Sequence, residues 1–159
     1  MSPGVEPRGR GAEGHMTMDR KERELGTELA PVFGPDGLLP CITQDAESGE
    51  VLMFAWMNEE ALQLTLRTGK ATYYSRSRQK LWVKGESSGR FQSVLEVRVD
   101  CDQDVLLLRV KVTEPGVCHQ GYRSCFYRRV MAGTTRTLEY AIPERAFDPE
   151  TVYRPKLKD

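Results

Sequence analysis

Ser93–Val112 reads SVLEVRVDCDQDVLLLRVKV, and its alternation decides the fold. Leu95, Val97, Val99 and Cys101 alternate with Glu96, Arg98, Asp100 and Asp102, a period of two that suits a strand with one face on a core. Past the turn, Leu106, Leu108, Val110 and Val112 alternate with Leu107, Arg109 and Lys111 in the same way. The stretch therefore predicts an antiparallel hairpin whose tip is Asp102-Gln103-Asp104. A first strand running straight to its end puts Cys101 on the apolar face and Asp100 and Asp102 on the opposite one.

Upstream, Val51–Met57 (VLMFAWM) is a continuous apolar run of strand length, expected to be buried on both faces. Asn58 stands where an N-cap belongs, Glu59 and Glu60 fall in the first turn, and Leu62 and Leu66 share a face. Arg67 in the last turn and Gly69 just beyond complete the pattern of a helix over 59–68. Leu38–Thr43, Ala71–Ser75, the second half of CHQGYRSCFYRRV and Leu138–Ala141 read as further strands. Cys41, alone between Pro40 and Ile42, reads as a small core residue. These elements predict one α+β domain over 25–142, a mainly antiparallel sheet with one or two helices. Residues 1–24 carry Gly, Pro and mixed charge without hydrophobic period and are expected to be a disordered tail. Residues 143–159 read as a C-terminal tail of coil.

The chain has 159 residues, enough to bury roughly two-thirds of its unfolded surface in one core. Lys plus Arg number 23 and Asp plus Glu 23, so no global charge argues for nucleic acid or a membrane surface. No apolar run approaches the roughly 20 residues of a membrane span. The N-terminal stretch lacks the apolar core of a signal peptide, so a cytoplasmic location is expected. In such a reducing compartment, thiols near a histidine serve metals or catalysis more often than disulfides.

The chemistry concentrates in Asp100–Cys125. Cys101, Cys118 and Cys125 offer three thiolates, the ligands zinc favours, and Gly121 lets the chain between the last two fold back. Paired C-x-x-C knuckles are absent, and three protein ligands leave a fourth position for water, the pattern of a catalytic zinc. Asp100, Asp102 and Asp104 offer hard oxygens suited to Mg²⁺. An EF-hand loop would need Gly and Glu where Val105 and Lys111 stand. His119 directly follows a zinc ligand and is suited to act as general base on a nearby water. Residues 76–90 carry Arg76, Arg78, Lys80, Lys84 and Arg90 against Glu86 alone, and KGESSG adds Gly85, Ser87, Ser88 and Gly89. Such a loop can cradle phosphates through guanidinium forks, hydroxyls and close backbone amides. It is no Walker A motif. Only Trp82 and Phe91 offer stacking faces nearby, which disfavours RNA.

These motifs resemble the phosphoribosyl-AMP cyclohydrolase family of histidine biosynthesis. The resemblance runs from about Leu38 to Val130 through MNEEAL, YYSRSRQKLW, KGESSG, DCDQD and CHQGYRSCFYR. It implies hydrolytic opening of the N1–C6 bond of 1-(5-phosphoribosyl)-AMP, a small nucleotide substrate. It implies zinc at Cys101, Cys118 and Cys125, with Cys101 coming from the other subunit of a homodimer, and Mg²⁺ at Asp100, Asp102 and Asp104. Sixteen residues separate Cys101 from Cys118 where the family pattern suggests fifteen, an insertion expected in the KVTEPGV loop. A fused phosphohydrolase domain is not expected, because little chain follows Val130. A different class stays open, a zinc-stabilised module binding RNA or a protein partner through 76–90. It would need a fourth zinc ligand, and His119 is the sole candidate. A nucleobase deaminase would need H-x-E and P-C-x-x-C, and neither occurs.

Overall fold

Leu106–Val112 becomes strand β6, with Leu106, Leu108 and Val110 fully buried, in a computed structural model that describes residues 18–133 and 136–153. β6 pairs antiparallel with β5 (Gln92–Val99) and parallel with β1 (Leu39–Asp45). From β1 the sheet continues antiparallel through β2 (Val51–Met57), β3 (Thr72–Ser75) and β4 (Lys80–Val83). The strand order is β4-β3-β2-β1-β6-β5. The sheet is therefore mostly antiparallel, with one parallel pair, β1 with β6, next to the edge strand β5.

The hairpin forms, with one correction. A bulge between Val94 and Glu96 shifts the register, so Gln92 and Val94 share the inward side before it and Val97 and Val99 after it. One extra residue reverses the sides that follow. Leu95, expected inward, is 64% exposed at the bulge. β5 also ends at Val99, so Cys101 sits exposed in the tip loop rather than on a strand face.

β2 differs from expectation as well. Met53, Ala55 and Met57 are buried, but Val51 is 41% and Phe54 45% exposed, so only one face is covered along its whole length. The helix is as expected. In α2 (Glu59–Thr68) Asn58 Oδ1 accepts the Ala61 N–H at 2.8 Å and Gly69 ends it at φ 70°. It lays Ala61, Leu62 and Thr65 on the sheet. Cys41 is fully buried in the core, its thiol pushed up to about 12 by burial. Beside it the Tyr73 hydroxyl bridges Thr43 Oγ1 and Gln92 Oε1, each at 2.7 Å, so the polar groups of this core satisfy one another.

The described residues hold three short helices where one or two were expected. Two lie in the supposed tails: α1 (Arg20–Leu25) and α3 (Pro149–Tyr153). Asp19 caps α1 by accepting the Glu22 N–H at 2.9 Å, a local signal inside an otherwise featureless composition. Residues 1–17 of the expected tail lie outside the described residues. The strand expected after Cys125 shrinks to β7 (Arg128–Val130), paired with β8 (Leu138–Tyr140) in a second, two-stranded sheet.

Candidate active site and metal centres

The loop from Val117 to Cys125 is held by its own backbone. Gly121 N–H reaches the Cys118 carbonyl at 2.9 Å and Cys118 N–H the Tyr122 carbonyl at 3.0 Å. Its far end is tied to β2: Cys125 N–H donates to the Leu52 carbonyl at 2.7 Å, and Ser124 Oγ to the Val51 carbonyl at 2.7 Å. The fold-back brings the Cys118 and Cys125 thiols beside each other. Burial, then the neighbouring Cys118 thiol, pushes Cys125 up to about 12, with the Lys84 ammonium acting the other way. Two thiols next to each other and unpaired as a disulfide suit a soft cation, which deprotonates the thiols that bind it.

Lys84 acts on this pair through its ammonium. It is 8% exposed and its Nζ donates to the Val117 carbonyl at 2.6 Å. Burial lowers its pKa, while Cys125 and Cys118 oppose that shift. Its ammonium also lies over the Trp82 ring, 5.3 Å from the centroid. Lys84, Gly85, Ser87, Ser88 and Arg78 line one cavity with His119 and Cys125, of about 320 Å³. That volume falls within the range of small-ligand sites.

The expected phosphate cradle is thus only partly assembled at this cavity. Arg78, Lys84, Gly85 and Ser88 line it; Arg76, Glu86 and Gly89 do not. The Arg76 guanidinium lies over the Trp56 ring at 4.9 Å and borders a separate depression with Asn58, Glu59 and Tyr74. Glu86 and Gly89 are exposed turn residues, the Gly89 N–H closing the turn on the Gly85 carbonyl at 2.7 Å.

The hairpin tip forms the second centre. One oxygen from each of Asp100, Asp102 and Asp104 lies within 4.8 Å of the others, and all three residues are exposed. Asp100 Oδ1 accepts the Asp104 N–H at 2.9 Å and the Val105 N–H at 3.0 Å, which fixes the curl of the loop. Hydrogen bonding to the Asp100 and Asp102 carboxylates, together with their repulsion of a third charge, holds the Asp104 carboxyl up at about 6. A hard divalent cation relieves such crowding, and the donor set fits one.

Gln103 anchors this tip. Its φ is 59° and its side chain is buried. Its Oε1 accepts the Ala30 N–H at 2.8 Å, and its Nε2 donates to the Arg23 and Glu28 carbonyls, both at 3.1 Å. Its carbonyl also accepts the Val32 N–H at 2.8 Å. Cys101 faces a groove here with Leu29, Leu66, Val97 and Val99. The chain therefore does not bring Cys101 to Cys118 and Cys125; the aspartates are the one cluster of three metal-competent side chains among the described residues.

Sequence reasoning singled out Trp82 as a stacking face but missed the rest of the aromatic cavity lining. Phe54, Trp82 and Tyr153 all face it. Phe54 stands in an unbroken apolar run that gives no sign of which face meets a ligand, and Tyr153 lies in a stretch with no periodic signal.

Comparison with known proteins agrees with the motifs. The family model described as phosphoribosyl-AMP cyclohydrolase matches residues 53–127. A protein of that name from Nitrobacter winogradskyi is 52% identical over 137 residues, covering 85% of this chain and 94% of its own. One from Alkalilimnicola ehrlichii is 55% identical over 132 residues, 82% and 89% of the two chains. One from Hyphomonas neptunium is 61% identical over 106 residues, 67% and 80%.

Proposed function

The chain belongs to the phosphoribosyl-AMP cyclohydrolase family, and on that footing we propose how its residues open the adenine ring of 1-(5-phosphoribosyl)-AMP in histidine biosynthesis. The observation that carries the proposal is the single cavity lined by Cys125, His119, Lys84, Arg78 and Ser88. Cys118 and Cys125 would hold zinc together with Cys101 of the partner subunit, since one chain leaves Cys101 at a distant tip. Two features support a homodimer: the exposed Cys101, and the apolar Leu29, Leu66, Val97 and Val99 beside it. Bound there, zinc supplies Lewis acidity that brings water toward ionisation near neutral pH.

The substrate's N1 carries a second phosphoribosyl group, which leaves C6 electron-poor. His119 takes the proton of the water that adds to C6. The N1–C6 bond then breaks and N1 takes up a proton, leaving a carboxamide at C6, made of the added oxygen and the exocyclic amino group, and a formamidine across N1, C2 and N3. Arg78, Ser88 and the Gly85 backbone orient the nucleotide through its phosphates. Lys84, held by the Val117 carbonyl, keeps a positive charge against the thiolate pair. Asp100, Asp102 and Asp104 would hold Mg²⁺, which suits phosphate or ribose oxygens.

The test is to supply phosphoribosyl-AMP with Zn²⁺ and Mg²⁺ and follow ring opening by ultraviolet absorbance. Turnover that stops on zinc chelation and returns on zinc addition is expected. Turnover indifferent to chelation overturns the zinc assignment, and no turnover under any metal condition overturns the reaction.

A further inference from the structure

Tyr153 ends α3, well beyond the family-matched residues 53–127, yet its side chain lines the same cavity as His119 and Cys125. Its place follows from a series of contacts that start at Phe147. The Ala146 and Phe147 N–H groups both donate to the Gly121 carbonyl, at 2.7 and 3.2 Å, so this segment is pinned to the Cys118–Cys125 loop itself. The Phe147 ring lies against Gly116, and its carbonyl against Gly121. These glycines have φ 108° and 91°, and a methyl on either would collide with Phe147. The Arg90 guanidinium also lies over the ring, 3.9 Å from its centroid. Arg90 is held in turn by the Pro115 carbonyl at 3.1 Å and by Glu114 at 3.5 Å.

After Phe147 the chain turns at once. Asp148 Oδ1 accepts the Glu150 N–H at 2.9 Å and its carbonyl accepts Thr151 Oγ1 at 2.8 Å, starting the single turn that delivers Tyr153. The Tyr153 ring stands 6.2 Å from that of Phe147 and remains 41% exposed. A tyrosine that follows a ring seated in a glycine cradle, left partly uncovered and lining a cavity with Phe54 and Trp82, is an open aromatic face.

We infer that the C-terminal segment 146–153 is a wall of the substrate cavity and that Tyr153 binds substrate by laying its ring on the purine base. The inference rests on the function proposed above, which supplies the base. An adenine substituted at N1 carries positive charge over its amidine, and an aromatic face attracts such a ring by stacking and by its quadrupole. The remaining lining divides the labour in keeping with this. Arg78, Ser87 and Ser88 suit phosphate, while Phe54, Trp82 and Tyr153 suit the base. Phe147 is a positioning residue that acts through Tyr153.

The test uses the full zinc-loaded chain and two readouts. In steady-state ring opening, Tyr153→Ala should raise KM about tenfold with kcat nearly unchanged, as loss of one base–aromatic stack does. Tyr153→Phe should keep the wild-type KM, and Phe147→Ala should follow Tyr153→Ala. In hydrogen exchange, AMP should protect the backbone of 147–153 in the wild type and not in Tyr153→Ala. A wild-type chain that opens no ring sinks the functional reading, and AMP protection then still decides the wall. Ring opening with an unaltered KM in Tyr153→Ala, or no protection by AMP, overturns the wall alone.

Discussion

The hairpin tip and the Cys118–Cys125 loop lie close in sequence and use opposite physics. The tip is exposed, offers hard oxygens, and is crowded by its own charges: Asp104 is held up at about 6 by Asp100 and Asp102. The loop offers soft thiols: Cys118 is buried, Cys125 opens onto the cavity, and the Cys125 thiol is pushed up to about 12 by burial of its sulfur and by Cys118. In each place the cost of the bare arrangement is one a cation removes, a hard cation at the tip and a soft one at the loop. Their supports differ too. The loop leans on β2 and the C-terminal segment, whereas the tip hangs on one buried amide, Gln103, and the N-terminal segment. Cys101 belongs by chemistry to the loop and by position to the tip. That mismatch is what a second subunit would resolve.

The sharpest way to break this picture is to ask whether the two regions work across a dimer. Cys101→Ala and Cys125→Ala should each abolish activity and bound zinc. Mixing them under subunit exchange should restore activity, because in a mixed dimer one site carries both lesions and the other neither. Random exchange makes about half the dimers mixed, so roughly a quarter of all sites should be intact. No recovery, with exchange confirmed by mass spectrometry, would place each site within one chain.

Within the loop, His119→Ala should lower turnover by roughly 10²–10⁴ while zinc analysis stays at the wild-type level. A loss below tenfold would make His119 a bystander, and a loss of zinc would make it a ligand. At the tip, Gln103→Ala leaves the Ala30 N–H and the Arg23 and Glu28 carbonyls without their partner. Orphaned groups of this kind cost about 1–3 kcal/mol, measurable by denaturant unfolding. A change near zero would mean the N-terminal segment does not depend on the amide.

The smallest effect separates the two metals. The folded Asp104 carboxyl lies above its ordinary value, so the folded chain keeps a proton that the unfolded chain releases. Stability of the metal-free protein should therefore fall as pH rises from about 4 through 6. Asp104→Asn should raise the metal-free Tm modestly at pH 8, with the difference gone by pH 4, and weaken the Mg²⁺ requirement with zinc retained. A Tm difference that persists at pH 4, or zinc lost with Mg²⁺, would show that charge crowding is not what defines the tip.

Helix α2 was legible because its information is local: Asn58, Glu59, Glu60, Arg67 and Gly69 each act within one turn of themselves. β6 was legible because its alternation is uninterrupted from Leu106 to Val110. β5 misled because a bulge leaves no mark in composition, and the extra residue turned Leu95 outward. β2 misled because an apolar residue facing a ligand cavity, such as Phe54, looks in sequence like one facing a core. Arg76 and Arg78 stand two apart in one basic run, yet the former leans on Trp56 and the latter on the cavity.

The reactive groups, the local periods and the family can be read along the chain, because side-chain chemistry and short-range geometry are carried by each residue and its near neighbours. Which groups meet depends on the folded arrangement. The parallel pairing of β1 with β6, the seating of the Cys118–Cys125 loop on β2, the burial of Lys84 beneath Val117 and the approach of Tyr153 to His119's cavity all join residues far apart in the chain. Such contacts depend on strand order and register, and these are set by the packing of the whole sheet rather than by any one segment.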